Sequence, residues 1–177
     1  MRDFTLQQYN NYLNAINISK LDFLTFSEFI PLKIKPLKFC LLRHDVDRKP
    51  KQALDMAVLE HSKGIKATYY FRMKACSFDP KIIKEISELG HEIGYHYESL
   101  ADTKGNISKA LIDFGKNLKL LRNIVTVTSC SMHGSPLKPF DNRDIFRIKK
   151  NHDILINELG VLGEVYLDID YKDIAYI

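Results

Sequence analysis

From Phe39 onward the chain alternates short apolar segments with longer amphipathic ones, and this rhythm limits the fold more than any other feature. Phe39 to Leu42 reads as a strand. Lys51 to Lys63 has helical spacing, with Ala53, Leu54, Ala57 and Val58 on one face and Gly64 to close it. Ala67 to Phe71 (ATYYF) is β-branched and aromatic, as a second strand would be. Asp79 can cap a helix that has Pro80 in its first position, turns Ile82, Ile83 and Ile86 inward and stops at Gly90. Glu92 to Tyr97 reads as a third strand, Ile107 to Leu121 as a long helix and Val125 to Ser131 as a fourth strand. Asp144 to Lys150 predicts a short helix; Val165 to Ile169 and Ile174 to Ile177 predict two more strands. Ahead of this core, residues 5–18 carry Leu6, Tyr9, Tyr12, Leu13 and Ile16 at helical spacing, and 25–37, with prolines at 31 and 36, reads as irregular.

Alternating strands and helices are the signature of parallel βαβ units. Parallel strands covered by helices are apolar on both faces, so Tyr69, Tyr70 and Phe71 are expected in the core. The α/β class follows, as a barrel or an open sheet, with ligands at the carboxyl ends of the strands. A length of 177 residues suits one domain, with 1–37 as a helical extension and 38–177 as the β/α core.

Three strand ends carry metal-binding residue types. LLRHDVDRKP (41–50) places His44, Asp45 and Asp47 where the first strand leaves the core; His96 and Glu98 end the third strand; His133 follows the fourth in SCSMHGSP. Parallel topology brings these groups to one cleft. Imidazoles and carboxylates suit a divalent ion with an open position for water, and leave an Asp free as a base. Aspartates at i and i+2 of an extended chain point the same way. Each residue also has an ordinary use. Asp45 and Asp47 can cap a helix or form a turn, His96 can be a bonded core histidine, and His133 a loop residue. His91 opens its strand at the far end and reads as structural, while His61 and His152 read as surface. A histidine–aspartate pair also marks the HD phosphohydrolases, but there it lies on a helix.

The net charge of +4 is mild and the lysines are scattered, so nucleic acid is not expected as a partner. No apolar run approaches roughly 20 residues, and MRDFTLQQYNNYL lacks the apolar centre of a signal peptide, so a cytoplasmic protein without a membrane partner is expected. Three widely spaced cysteines, Cys40, Cys76 and Cys130, argue against a disulfide framework and read as small buried residues.

RHDVD (43–47), GIKATYYF (64–71) and GHEIGYHYESL (90–100), in this order and spacing, resemble the polysaccharide deacetylase family, also called the NodB-homology domain. SMHGSPLKPFDNRD (131–144) resembles a divergent branch of it, and the resemblance covers about residues 38–177. It implies a distorted (β/α) barrel, usually of seven strands, with one bound divalent metal, most simply zinc. It implies removal of acetyl groups from N-acetylated sugars, or cleavage of related amides. The family's first motif, usually TFDDG but in some members Asp-x-Asp, would make Asp45 the base and Asp47 a metal ligand. Its second motif, H-(S/T)-x-x-H, matches at His96, but its second histidine falls at Leu100, which cannot ligate. His133, at the next strand end, is then the expected third ligand, with Glu98 as second choice. The arginine of the third motif is replaced by MHGSP, so Arg43 or Arg72 would have to stand in; Arg43, His44, Glu98 and Arg72 are expected around the substrate. The later motifs, including the leucine-x-histidine general acid, are absent, and the chain stops at DIAYI inside a predicted strand. An incomplete barrel is therefore expected, its open edge covered by the N-terminal helix or by a second copy in a homo-oligomer. The expected activity is N-deacetylation of a carbohydrate or small molecule; the alternative is an inactive relative that binds a glycan or a protein.

Overall fold

The computed structural model describes residues 5–135, 137–172 and 174. Five parallel strands form the main sheet in sequence order: β3 (Arg43–Val46), β4 (Thr68–Phe71), β5 (Glu92–Tyr97), β6 (Ser129–Met132) and β7 (Gly163–Glu164). A second, two-stranded parallel sheet joins β1 (Asp22–Leu24) to β2 (Phe39–Leu41), and only Leu42 separates β2 from β3. Helices α1 (Leu6–Ile18) and α2 (Phe26–Phe29) lie in the extension. Helix α3 (Pro50–His61) links β3 to β4, and α4 (Pro80–Glu88) links β4 to β5. Helices α5 (Ser99–Asp102) and α6 (Ile107–Arg122) lead to β6. Helices α7 (Asp144–Arg147) and α8 (Lys149–Asp153), with a π-helical turn over Ile154–Glu158, lead to β7. The α/β class is as expected. A closed barrel is not seen: among the described residues no ladder joins β7 back to β1 or β3.

Local chemistry accounts for most boundaries. The Asp79 carboxylate accepts the Lys81 and Ile82 N–H groups at 3.0 and 3.3 Å, with Pro80 first in α4. Gly64 and Gly90 end α3 and α4 at φ +69° and +90°, where glycine is strain-free. Residues 25–37 are less irregular than expected, because Thr25 and Glu28 form a reciprocal cap that starts α2. The fourth strand begins at Ser129, not Val125: the Arg122 side chain takes the Val127 carbonyl at 2.8 Å, which withdraws it from any ladder. No strand covers 165–169. The chain turns there, with the Leu167 and Asp168 N–H groups returning to the Glu164 carbonyl and the Asp168 carboxylate accepting the Glu164 N–H. The helix expected over 144–150 breaks at the extended Ile148 and then runs on. The strand expected at 174–177 falls, apart from Ile174, outside the described residues.

Period-two alternation gives the sheet two different faces. On one, Val46, Tyr69, Phe71, Ile93, Tyr95, Tyr97 and Cys130 pack under Ala53, Ala57, Ile83, Ile86, Phe114 and Leu118 of the helices. Val58, expected in that stripe, is half exposed. Of the cysteines only Cys130 is buried; Cys76 is exposed and Cys40 intermediate. On the other face Tyr70 packs with Phe26, Phe29, Val165 and Ile169. Tyr70 lies flat across β5 at Gly94, where a Cβ would come within 2.2 Å of its ring.

Helix α1 is fastened to the helical side by a buried carboxylate. Glu60, 0% exposed, accepts the Tyr9 hydroxyl, the Tyr69 hydroxyl at 2.7 Å and His44 Nε2 at 2.6 Å. Burial raises the pKa of Glu60, but His44 and the two tyrosines overcome it and leave it below its ordinary 4.5. The stability this group supplies is therefore complete above pH 4.5 and is lost as pH falls through the lower folded value. Glu60→Ala, which orphans the buried Tyr69 hydroxyl and removes the shared partner of Tyr9 and His44, is expected to cost about 3 kcal/mol in urea unfolding at pH 7. The difference from wild type should shrink below pH 4.5.

Candidate metal centre

The same alternation divides RHDV between the two faces of β3. Arg43 and Asp45 turn to the Tyr70 side, and His44 turns to Glu60. Asp47 follows β3 directly. His96 lies in β5, paired with Ser131 of β6. His133 follows β6 and keeps the ladder going by donating its N–H to the Tyr97 carbonyl at 2.7 Å. Ligand atoms of Asp47, His96 and His133 all lie within 4.8 Å of one another. His133 Nε2 is 3.3 Å from Asp47 Oδ1. His96 Nε2 is 3.6 Å from the same oxygen and 3.7 Å from Asp45 Oδ2.

The protonation pattern is what makes this group a candidate for a cation. His96 is 3% exposed and gives its Nδ1 proton to the Ser131 carbonyl at 3.0 Å. Burial lowers its pKa, against the raising influence of Asp45, Ser131 and Asp47. The neutral ring thus presents the Nε2 lone pair to two carboxylates. Asp47 is half exposed as a side chain, but its Oδ1 is covered and has no hydrogen-bond partner, with the nearest cation, Arg72 Nη1, 4.0 Å away. Acceptors that face one another out of water cost free energy unless a cation lies between them. One carboxylate oxygen and two imidazole nitrogens form a donor set suited to a zinc-like divalent ion, with a coordination position left over.

A second layer holds the ligands in place. Glu98 Oε2 lies 3.4 Å from His133 Nδ1, an electrostatic contact outside hydrogen-bond geometry, and Arg72 grips the Glu98 carboxylate at 2.8–3.0 Å. Burial works against the Glu98 charge, but His133, Arg72 and Lys74 prevail and bring its pKa to about 2. The buried Asn142 donates to the His133 carbonyl at 2.8 Å and accepts the Ala101 N–H at 2.9 Å, tying the β6 loop to α5. Arg43 makes a two-pronged contact with Asp45, 2.8 Å on each oxygen, and reaches Ser131 Oγ at 2.6 Å. Glu164, 0% exposed beyond the Met132 N–H it accepts, has its pKa raised to about 7, chiefly by burial.

Asp45, Asp47, His96 and His133 therefore come together as expected, with Arg43 on Asp45. His44 does not join them; its ring is on the opposite face, held by Glu60. Glu98 and Arg72 stand behind His133, locked to each other. Leu100 is 3% exposed and belongs to the apolar core. His91 is structural: it accepts the Ala67 N–H at 3.2 Å and donates to the Ala57 carbonyl at 3.0 Å. Glu164 carries no motif that sequence reading could have singled out, and Ser131 and Asn142, though inside SMHGSPLKPFDNRD, are of residue types with no metal-binding signal.

No protein-family model matches the chain and no curated protein matches it, so what the centre does has to be read from its own atoms. Titration with zinc or cobalt is expected to give about one site per chain, abolished in Asp47→Ala and in His133→Ala. Removing a carboxylate behind a ligating histidine typically weakens metal about 10- to 100-fold, and Glu98→Ala should do so with the fold intact by circular dichroism. Equal affinity in Glu98→Ala and wild type would remove Glu98 from the centre.

Proposed function

We propose that the chain is a metal-dependent hydrolase of a non-peptide carbon–nitrogen bond, of the polysaccharide deacetylase kind, which removes the acetyl group from an N-acetylated sugar. The observation that carries this reading is the triad Asp47, His96 and His133, with ligand atoms within 4.8 Å of one another and the carboxylate of Asp45 at its side. We further propose zinc as the ion and a distorted, incomplete barrel as the architecture; the five parallel strands in sequence order support the latter.

A zinc ion in this position would polarise a carbonyl and bring the pKa of water down to about 7. Asp45 is the one carboxylate beside the triad that is neither a ligand nor locked behind one, and it takes the proton of the attacking water. Arg43 fixes the direction of that carboxylate through two hydrogen bonds of 2.8 Å. Glu98, ionised against Arg72, has no proton to give, and His133 is occupied as a ligand. Asp45 is left to pass its proton to the departing amine. A hollow of about 400 Å³ opens beside His133, lined by Met132, Ser135, Lys138, Phe140 and Arg143, and gives a sugar ring an apolar floor with polar edges.

Leu100 supports a second reading, a glycan-binding relative without turnover, because it replaces a ligand in the resembled motif. Acetate release from N-acetylglucosamine oligomers by the zinc-loaded chain separates the two. The hydrolase reading expects turnover that falls about 10²- to 10⁴-fold in Asp45→Asn while bound zinc stays at wild-type level. Zinc binding with no acetate from any N-acetylated sugar tested would leave the binding reading.

A further inference from the structure

The segment that joins α2 to β2, residues 31–38, reads PLKIKPLK and contains no acidic residue. It has no regular structure, and its three large apolar side chains point outward: Leu32 is 36% exposed, Ile34 88% and Leu37 96%. Ile18, at the end of α1, is 82% exposed. These two places adjoin. The Asp22 N–H donates to the Lys38 carbonyl at 3.2 Å where β1 begins to pair with β2, so the exit from α1 and the entry to β2 share the amino-terminal end of these strands. Lys20, Lys33 and Lys38 are exposed there and make no ion pair among the described residues. Lys35 is different. Its Nζ donates to the Phe29 carbonyl at 2.6 Å and rests 3.9 Å above the Phe29 ring, which pins the base of the segment. Asp168 and Asp170 line the hollow beside Leu37, but Asp168 is met by His152 at 2.9 Å and Asp170 by Lys172 at 3.9 Å, which leaves Asp22 as the exposed acid against three lysines.

We infer that this face docks on an anionic lipid bilayer. Isolated exposed apolar residues are ordinary, whereas three within eight residues, interleaved with lysines, suit a surface that is both oily and negative. A bilayer with acidic headgroups supplies hydrocarbon for Ile34 and Leu37 and phosphates or carboxylates for the lysines, at the few-ångström spacing at which they alternate. No helix of the described residues is long and apolar enough to cross a membrane, and docking of this kind needs none. Asp47 and His133 follow the carboxyl ends of β3 and β6, and His96 is next to last in β5, so the candidate metal centre belongs to the opposite end of the strands from this face. The inference does not depend on what that centre catalyses.

The test is flotation of the full chain with vesicles of phosphatidylcholine alone or with about one-third phosphatidylserine. Binding is expected only with the acidic lipid, weaker at high salt, and equal to wild type in His133→Ala. It should drop at least tenfold in Ile34→Ser with Leu37→Ser, and likewise in Lys33→Glu with Lys38→Glu, with unchanged thermal melting. Absence of wild-type binding, or variants that float like wild type, would overturn it. So would a chain that ignores vesicles but changes from dimer to monomer in Ile34→Ser with Leu37→Ser, which would give this face to a second copy.

Discussion

The ladder between β5 and β6 pairs His96 with Ser131, and the candidate metal centre hangs on that pairing. Ser131 uses three parts of itself there: its backbone in the ladder, its carbonyl to take the proton of His96, and its hydroxyl to hold Arg43 against Asp45. One further ladder bond, from His133 to Tyr97, sets His133 beside His96 with their rings edge to face at 5.2 Å. A slip of one residue in this register would send His96 to the helical face, because successive strand residues point to opposite sides. The large aromatic side chains Tyr95 and Tyr97, buried on that other face, make such a slip costly.

Two charge clusters, one buried at Glu60 and one partly open at Asp45 and Asp47, thus sit on opposite sides of one short strand and are resolved differently. At Glu60 every oxygen meets a donor, so the cluster contributes rigidity and ties α1 to the core. At Asp47 and His96 the acceptors are left facing one another, and the free energy withheld from folding is available to an ion. An ion that binds only the folded chain adds stability that grows with the logarithm of its concentration relative to its dissociation constant.

Much of this was legible in GHEIGYH. Gly90 is needed for a left-handed helix end, His91 for a buried bond to α3, Gly94 to let Tyr70 cross, and His96 for the centre. Strand-end placement also brought Asp45, Asp47 and His133 into view, since parallel topology turns distant strand ends into neighbours. RHDVD misled at His44, because an extended chain seen as a strand end hides which face each residue takes. Glu60 was invisible: a glutamate in an amphipathic helix is normally solvated, and only the approach of Tyr9, from 51 residues away in sequence, makes it a core residue. The edges of β6 and β7 were misjudged for a related reason. β-branched residues at 125–128 and apolar ones at 165–169 favour strands locally, but Arg122 and Asp168 claim the backbone groups a ladder would need.

Each strand of the main sheet lies next to the one that precedes it in the chain, from β3 through β7. A ribosome would release such a sheet in the order in which it pairs, so every new strand finds its neighbour already waiting. The ligands emerge in the same order: Asp47, then His96, then His133. A nascent chain that has folded through β5 offers an ion only two of them, and the third arrives with the strand whose ladder aligns it. Metal capture by all three would thus require β6 to have docked.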